Sequence, residues 1–473
     1  MAQKVDTILH GGAVVLGAGV QQQDIAITGE QIVAIGTAAT MPDAGRVIDV
    51  TDMHVLPGLI DAHSHFGYDD FAQGTLLSAH GGITTTIPFL GGSDSIAEII
   101  ERGQAEAAAG AVIDYAFHVI LWPNPDSDYL PLIGGVTEGV ARGVRSYKMF
   151  MGYRRFGRNL ATDDFLYAAF KEMRTHGALP MVHAENADLI FALERDLIAE
   201  GKVTPEHYPA SRPTICETEA ISRAADLARA AASPLYVVHL TTPEGLSIIE
   251  GRRAQGQPVY TETCPQYLLL TEAELQRIGP RAKIGPPMRT PEQVEGMWRG
   301  VHQGRIPIVA SDHSPHDPAL KEPGWKNIFY NDDGAPIPFG APSAETIVPL
   351  MYGKGVVERG LPIWWLARVM AENPARMFGL YPRKGVIAVG SDADFTVIDP
   401  NATTTFQAER MHSRTGYTPY EGWSATGAPV LTMVRGRVVL ENGTIKQERG
   451  FGSYLPAGAL LPPVYGPVSP LFA

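Results

Sequence analysis

Gly58-Leu59-Ile60-Asp61-Ala62-His63-Ser64-His65 is a short apolar run that ends in two histidines one residue apart. In an extended strand, residues i and i+2 point to the same side, so His63 and His65 can reach one point in space. Neutral imidazole is the commonest protein ligand for a metal ion, and a strand end is a place to hold such a pair. Alone, the pair reads more readily as two satisfied core or surface histidines. Its meaning depends on what the rest of the chain brings beside it.

Outward from this stretch, short apolar runs alternate with helical ones from about Leu56 to Gly379. That alternation is the sign of βα units and a parallel sheet. Eight strands are expected: Leu59–His63, Thr84–Pro88, Asp114–Ile120, Val144–Met149, Pro180–His183, Leu235–His239, Val259–Thr263 and Ile308–Ser311. Helical stretches lie between them at Ser95–Ala109, Asp163–Thr175, Glu217–Ala231 and Pro243–Arg253. A count of eight favours an α/β fold of the (β/α)8 TIM-barrel type, whose active site sits at the C-terminal ends of its strands. The alternative is an open doubly wound sheet. It is weakened because no Gly-x-Gly-x-x-Gly follows the first strand of this region.

The two ends of the chain have a different texture. Asp24–Thr28, Gly29-Glu30 and Gln31–Ile35 make a hairpin with glycine at the first turn position. Near the far end, Ala393–Ile398 reads as a strand, and Leu431–Val434, Arg435-Gly436 and Arg437–Leu440 read as a second hairpin. The expectation is one small β-sandwich built from residues 1–55 and 380–445, around a catalytic barrel of 56–379. The tail, 446–473, is rich in Pro, Gly and Leu and is expected to drape over a neighbouring surface or subunit.

Bulk properties narrow the class. The 473 residues suit a barrel-sized domain with a smaller one, and 45% hydrophobic with 19% charged residues is globular composition. The net charge of −13 and the lack of a long basic run argue against a nucleic-acid surface. Two cysteines, Cys216 and Cys264, make no disulfide framework and fit a reducing compartment. The first residues lack a signal-peptide pattern, and no apolar stretch approaches the ~20 residues that span a bilayer. The expectation is a soluble cytoplasmic protein with no membrane partner.

Placed on the strand list, the polar residues gather. His63 and His65 end the first strand, Lys148 the fourth, His183 the fifth and His239 the sixth, and Asp312 follows the eighth. All six fall at one rim of the expected barrel. Four histidines and a carboxylate can hold divalent metal, and N and O donors suit zinc. Lys148 is the odd member. A protonated lysine beside cations would be repelled, so it is neutral, modified, or packs its stem at the mouth with its head in water.

Several stretches resemble the cyclic amidohydrolases of the hydantoinase and dihydropyrimidinase branch. They are Gly58–His65, Ser146-Tyr147-Lys148-Met149-Phe150-Met151, Val182-His183-Ala184-Glu185-Asn186, Val238-His239-Leu240 and Ser311-Asp312-His313, then Gly390-Ser391-Asp392-Ala393-Asp394 and Gly427-Ala428-Pro429-Val430. The resemblance runs in order along nearly the whole chain. It implies hydrolysis of a cyclic amide substrate at two divalent metal ions, zinc for preference, bridged by Lys148 as its carbon dioxide adduct, N6-carboxylysine. His63, His65, the carbamate and Asp312 would hold one ion; the carbamate, His183 and His239 would hold the other. A hydroxide between them would attack the ring carbonyl, with Asp312 as general base and then acid. The resemblance also implies a homo-oligomer, a tetramer.

For substrate contacts, the resemblance points to Tyr153 as donor to the oxyanion, although a mouth tyrosine fits the same position. It also points to main-chain groups at Gly285 and at Phe339-Gly340. The chain departs from common dihydropyrimidinases at Phe339, usually Asn, and at Gly285, usually Ser, which puts the pyrimidine substrate in doubt. Ser314-Pro315-His316 resembles allantoinases, the enzyme alternative; a catalytically silent dihydropyrimidinase-like binding protein is the other, and it would lack ligands that are all present here. His313 and His316 read as loop histidines in solvent or as supports of the ligands. Asp61 reads as a support for a ligand imidazole or a turn cap, and Cys264 as a packing residue. Lys321–Lys326 reads as a mouth loop with no assigned chemistry.

Overall fold

Each run of β-branched and apolar residues between Leu59 and Val309 forms a strand that is buried on both faces, as a sheet covered by helices requires. The computed structural model describes residues 4–17, 19–124, 128–152 and 160–468. Its barrel strands are Leu59–Ser64, Ile83–Leu90, Asp114–Tyr115 with His118–Ile120, Ser146–Phe150, Leu179–His183, Leu235–Val237, Val259–Thr263 and Ile308–Val309. Neighbours pair in parallel throughout. The eighth strand returns to the first: Ser64 bridges His313 in parallel, and the Asp312 N–H donates to the His63 carbonyl at 2.9 Å. The expected third strand is split in two, the fourth runs on to Phe150 so that Lys148 lies at its middle, and the sixth and eighth end at Val237 and Val309, short of the expected His239 and Ser311.

The crossover helices begin where their caps dictate. Ser95 and Glu98 form a capping box at the start of Ile96–Gly110, each side chain bonded to the other's backbone N–H. Thr242 caps Pro243–Ala254 through the Gly245 N–H. Asp163–Thr175 forms as expected, and Thr214–Ala230 starts three residues earlier than the sequence suggests.

The chain ends meet in a second, mixed sheet. His54–Pro57 pairs antiparallel with Phe395–Thr405 and parallel with Val5–Leu16, which brings the two termini together. Both expected hairpins are present, Gly19–Thr28 with Gln31–Gly36 and Ser424–Val434 with Arg437–Glu441. All nine strands are hydrogen-bonded into one continuous sheet around its own core, which includes Leu9, Ile25, Val55, Phe395 and Met433. The described part of the tail lies on this chain's own barrel: the Leu455 N–H donates to the Tyr115 carbonyl at 2.7 Å, and Asn373 exchanges hydrogen bonds with the Val464 backbone. Among the described residues no helix is long and apolar enough to cross a membrane.

Candidate metal centre

The strand ends place the expected donors together. His63 Nε2 lies 3.3 Å from His65 Nε2, 3.0 Å from Lys148 Nζ and 3.2 Å from Asp312 Oδ1. One ligand atom each from His63, His65 and Asp312 fall within 4.8 Å of one another. Across the barrel, His183 Nδ1 lies 2.9 Å from His239 Nε2, and the His63 and His239 rings are 5.5 Å apart. His239 and Asp312 have φ of +40° and +50°, a left-handed turn taken at the strand end. Such strain in non-glycine residues gathers at functional sites.

The hydrogen bonds fix which ring nitrogens are bare. His63 Nδ1 meets Glu262 Oε1; with that oxygen as the acceptor, Nε2 is the unprotonated atom facing His65, Lys148 and Asp312. His183 Nε2 donates to Glu185 Oε2 at 2.7 Å, which leaves Nδ1 bare toward His239. Burial is the main cause that holds His63, His65 and His239 well below the usual imidazole value, and it lowers His183 too. Burial also pushes the Lys148 ammonium down and the Asp312 carboxyl up. Lone pairs that converge at such distances call for a cation between them. A tetrahedral ion with bonds of about 2.05 Å separates its ligands by roughly 3.3 Å, close to the spacing from His63 to His65 and to Asp312. The donor set fits divalent metal.

The donors open into a cavity of about 510 Å³ lined by His65, Lys148, His183, His239 and Asp312 on its floor. Much of the lining is apolar: Trp122 stacks on Phe150 at 4.7 Å with rings 2° from parallel, and Ile120, Leu320 and Phe339 also line the cavity. Gly285 and Gly340 both line the cavity. The Gly340 N–H donates to the Lys283 carbonyl at 3.0 Å, so what Gly340 can offer a ligand is its carbonyl. A methyl group there would lie 2.4 Å from the Ser314 carbonyl oxygen at a φ of +126°. Gly340→Ala is therefore expected to cost about 1–3 kcal/mol and to distort the lining here; a melting temperature and turnover equal to wild type would refute it. Tyr153 lies outside the described residues.

Other expected residues have different partners from those proposed. Among the described residues the Asp61 side chain meets no imidazole ring, but its Oδ1 accepts from the His63 N–H at 3.4 Å, as the turn-cap alternative has it. Its carboxylate accepts from the Ser311 N–H at 2.9 Å and the Ser311 hydroxyl at 2.6 Å, and so fastens the first strand to the eighth. His313 is no solvated loop residue: it is buried, accepts from the Ser343 N–H at 3.0 Å and sits 3.3 Å from Asp69. His316 lines the cavity. In the mouth loop, Lys321 is buried and donates to the Pro280 and Lys283 carbonyls, bracing the segment that carries Gly285. Cys264 is buried and its thiol is pushed well up by burial, as a packing residue would be. Sequence reasoning missed Glu262 and the role of Glu185. The signal available was a carboxylate inside the barrel strand Val259–Thr263, and another two residues beyond His183.

Comparison with known proteins gives a consistent result. The model of the amidohydrolase family matches residues 54–439. The chain is 34% identical to an L-hydantoinase of Paenarthrobacter aurescens, over 95% of this chain and 98% of that one. It is 35% identical to a D-hydantoinase of Rhizobium radiobacter, over 93% and 96%. Among solved structures, a dihydropyrimidinase from Brevibacillus agri superposes with a TM-score of 0.89 at 32% identity, covering 97% of this chain and 100% of the other.

Proposed function

Because this chain belongs to the amidohydrolase family, we propose that it hydrolyses the amide bond of a cyclic ureide or imide, of hydantoin or dihydropyrimidine type. Its cofactor in this reading is a pair of divalent metal ions, zinc for preference. The observation that supports it most is the convergence of His65, His183, His239, Lys148 and Asp312 on the floor of a single cavity, with the buried His63 Nε2 within 3.3 Å of His65, Lys148 and Asp312. His63, His65 and Asp312 would hold one ion and His183 with His239 the other, and Lys148, carboxylated by carbon dioxide, would span them. Ions bound there supply Lewis-acid polarisation of the ring carbonyl and a water that loses a proton near neutral pH.

The chain's own groups do the rest. Asp312 would take the remaining proton of the attacking hydroxide and pass it to the ring nitrogen: a C–O bond forms, the C–N bond breaks, the acid product leaves as its carboxylate, and the first proton of the water has gone to solvent. Tyr153 would donate to the carbonyl oxygen as it gains charge. Backbone groups at Gly285 and Gly340 would hold the ring edge. Residues 56–379 carry this chemistry, with 1–55 and 380–445 as the supporting domain. We assign the protein to the cytoplasm and to a homotetramer. Retention of every donor position speaks against a silent binding protein.

Metal removal tests the reading directly. Dialysis against a chelator is expected to abolish turnover, and a divalent metal with bicarbonate to restore it. Purified protein that binds no metal and stays inactive after both additions would end the proposal. The substrate is tested by a panel of hydantoin, 5-aryl and 5-alkyl hydantoins of both hands, dihydrouracil, allantoin and simple imides. The apolar lining from Trp122, Phe150 and Phe339 favours an apolar ring substituent. Burying one contributes about 1.5–3 kcal/mol, so kcat/KM should exceed that for hydantoin by roughly 10- to 100-fold. A preference for unsubstituted rings would refute the role given to that lining. Both hands belong in the panel, because the L- and D-acting relatives are almost equally similar to this chain.

A further inference from the structure

Among the described residues, Glu262 is a carboxylate that touches both halves of the centre. It lies on the seventh barrel strand, with no exposed surface, between the His63 ring and the Tyr236 hydroxyl. Its Oε1 accepts from His63 Nδ1 and from the backbone N–H of His239, the latter at 3.3 Å. Its Oε2 accepts from the Tyr236 hydroxyl at 2.9 Å. Tyr236 is itself fully buried, so the carboxylate has no room to turn. A buried carboxylate persists only when donors satisfy it, and here three donors hold its two oxygens in one orientation.

Two consequences follow from that orientation. The contact with His63 fixes the tautomer in which Nε2 is bare, and it fixes the plane of the ring. The contact with the His239 amide pins the backbone where φ is +40°, a conformation that L residues rarely adopt. Glu185 serves only one half: it meets His183 Nε2 and the Arg212 guanidinium.

We propose that Glu262 is a positioning residue that braces His63 and His239 at once, coupling the two metal positions through a single buried carboxylate. The inference rests on the two-metal reading given above. Removing Glu262 frees a ring on one side and a strained backbone on the other, whereas removing Glu185 frees a ring on one side only.

The experiment measures metal content and chelator competition for Glu262→Gln, Glu185→Gln and Tyr236→Phe, with circular dichroism and thermal unfolding alongside. Groups that orient a ligand histidine change metal affinity by about 10- to 100-fold when replaced. Glu262→Gln is expected to weaken both metals by that factor, and Glu185→Gln only one. Cobalt-substituted Glu262→Gln should also show an altered visible spectrum, which a loss of general stability would not cause. Tyr236→Phe keeps the carboxylate and removes one of its donors, so a loss of several-fold is expected. Two metals bound by Glu262→Gln with wild-type affinity would overturn the inference. If that variant does not fold, wild-type affinity in Tyr236→Phe overturns it. Wild-type protein that takes up no metal would instead overturn the two-metal reading, so the two failures are distinct.

Discussion

Lys148→Ala is expected to leave a folded protein that has lost metal and turns over at least about 10⁴-fold more slowly. The side chain is buried, its Nζ lies 3.0 Å from His63 Nε2 and 3.4 Å from His65 Nε2, and it stands over the Phe89 and Phe150 rings at 4.4 and 4.9 Å. An ammonium group in that place would oppose cations. A carbamate adds two oxygens and reverses the charge, and only then do donors from opposite sides of the barrel share a ligand. In the proposed centre, alanine would remove that shared anion without adding a charge. Losing a metal-derived nucleophile and its Lewis acid costs several kcal/mol, and about 1.4 kcal/mol is tenfold in rate, which gives the magnitude. Acetate or propionate should restore part of the activity, because a small carboxylate can enter the space left by the lysine stem. Metal analysis and steady-state turnover decide it: unchanged turnover in Lys148→Ala would remove Lys148 from the mechanism.

The parts of this site that were legible in the sequence share one physical trait, which is local pattern. His63 and His65 share a face because the strand period is two, and the apolar run before His183 marks a strand whose end carries the polar residue. The hairpin at Gly29-Glu30 was readable because its turn needs a positive φ, which is +59° at Gly29. What pattern does not carry is a partner distant in the chain. Glu262 acts on His63 across 199 residues, Ser311 on Asp61 across 250 and Ser343 on His313 across 30. Asp61 therefore looked like a support for its neighbours when it closes the barrel, and His313 looked solvated when two distant segments cover it. The sixth and eighth strands ended early for a related reason. The proposed ligands beyond them, His239 and Asp312, leave the extended conformation, and nothing in Val238-His239-Leu240 or Ser311-Asp312-His313 announces it.

Asp312→Asn separates the two duties given to that residue. As a ligand, Asp312 contributes one oxygen, and the asparagine carbonyl can contribute one in the same place. As a base, it must accept a proton, which an amide does not do. The backbone makes asparagine the informative choice: φ is +50° at Asp312, and asparagine tolerates the left-handed region far better than alanine does. Metal content should therefore stay near wild type while kcat and kcat/KM fall together by roughly 10³-fold, within the 10²- to 10⁴-fold usual for a general base. Wild-type kcat in a variant that keeps its metal would refute the proton-transfer role. If metal is lost instead, the ligand role dominates, and the double variant Lys148→Ala/Asp312→Asn will be no slower than Lys148→Ala alone, since groups that act as a unit do not add. A double variant slower by the full product of the two single effects would mean that the lysine and the aspartate serve separate steps, contrary to a centre in which both face His63 Nε2 at 3.0 and 3.2 Å.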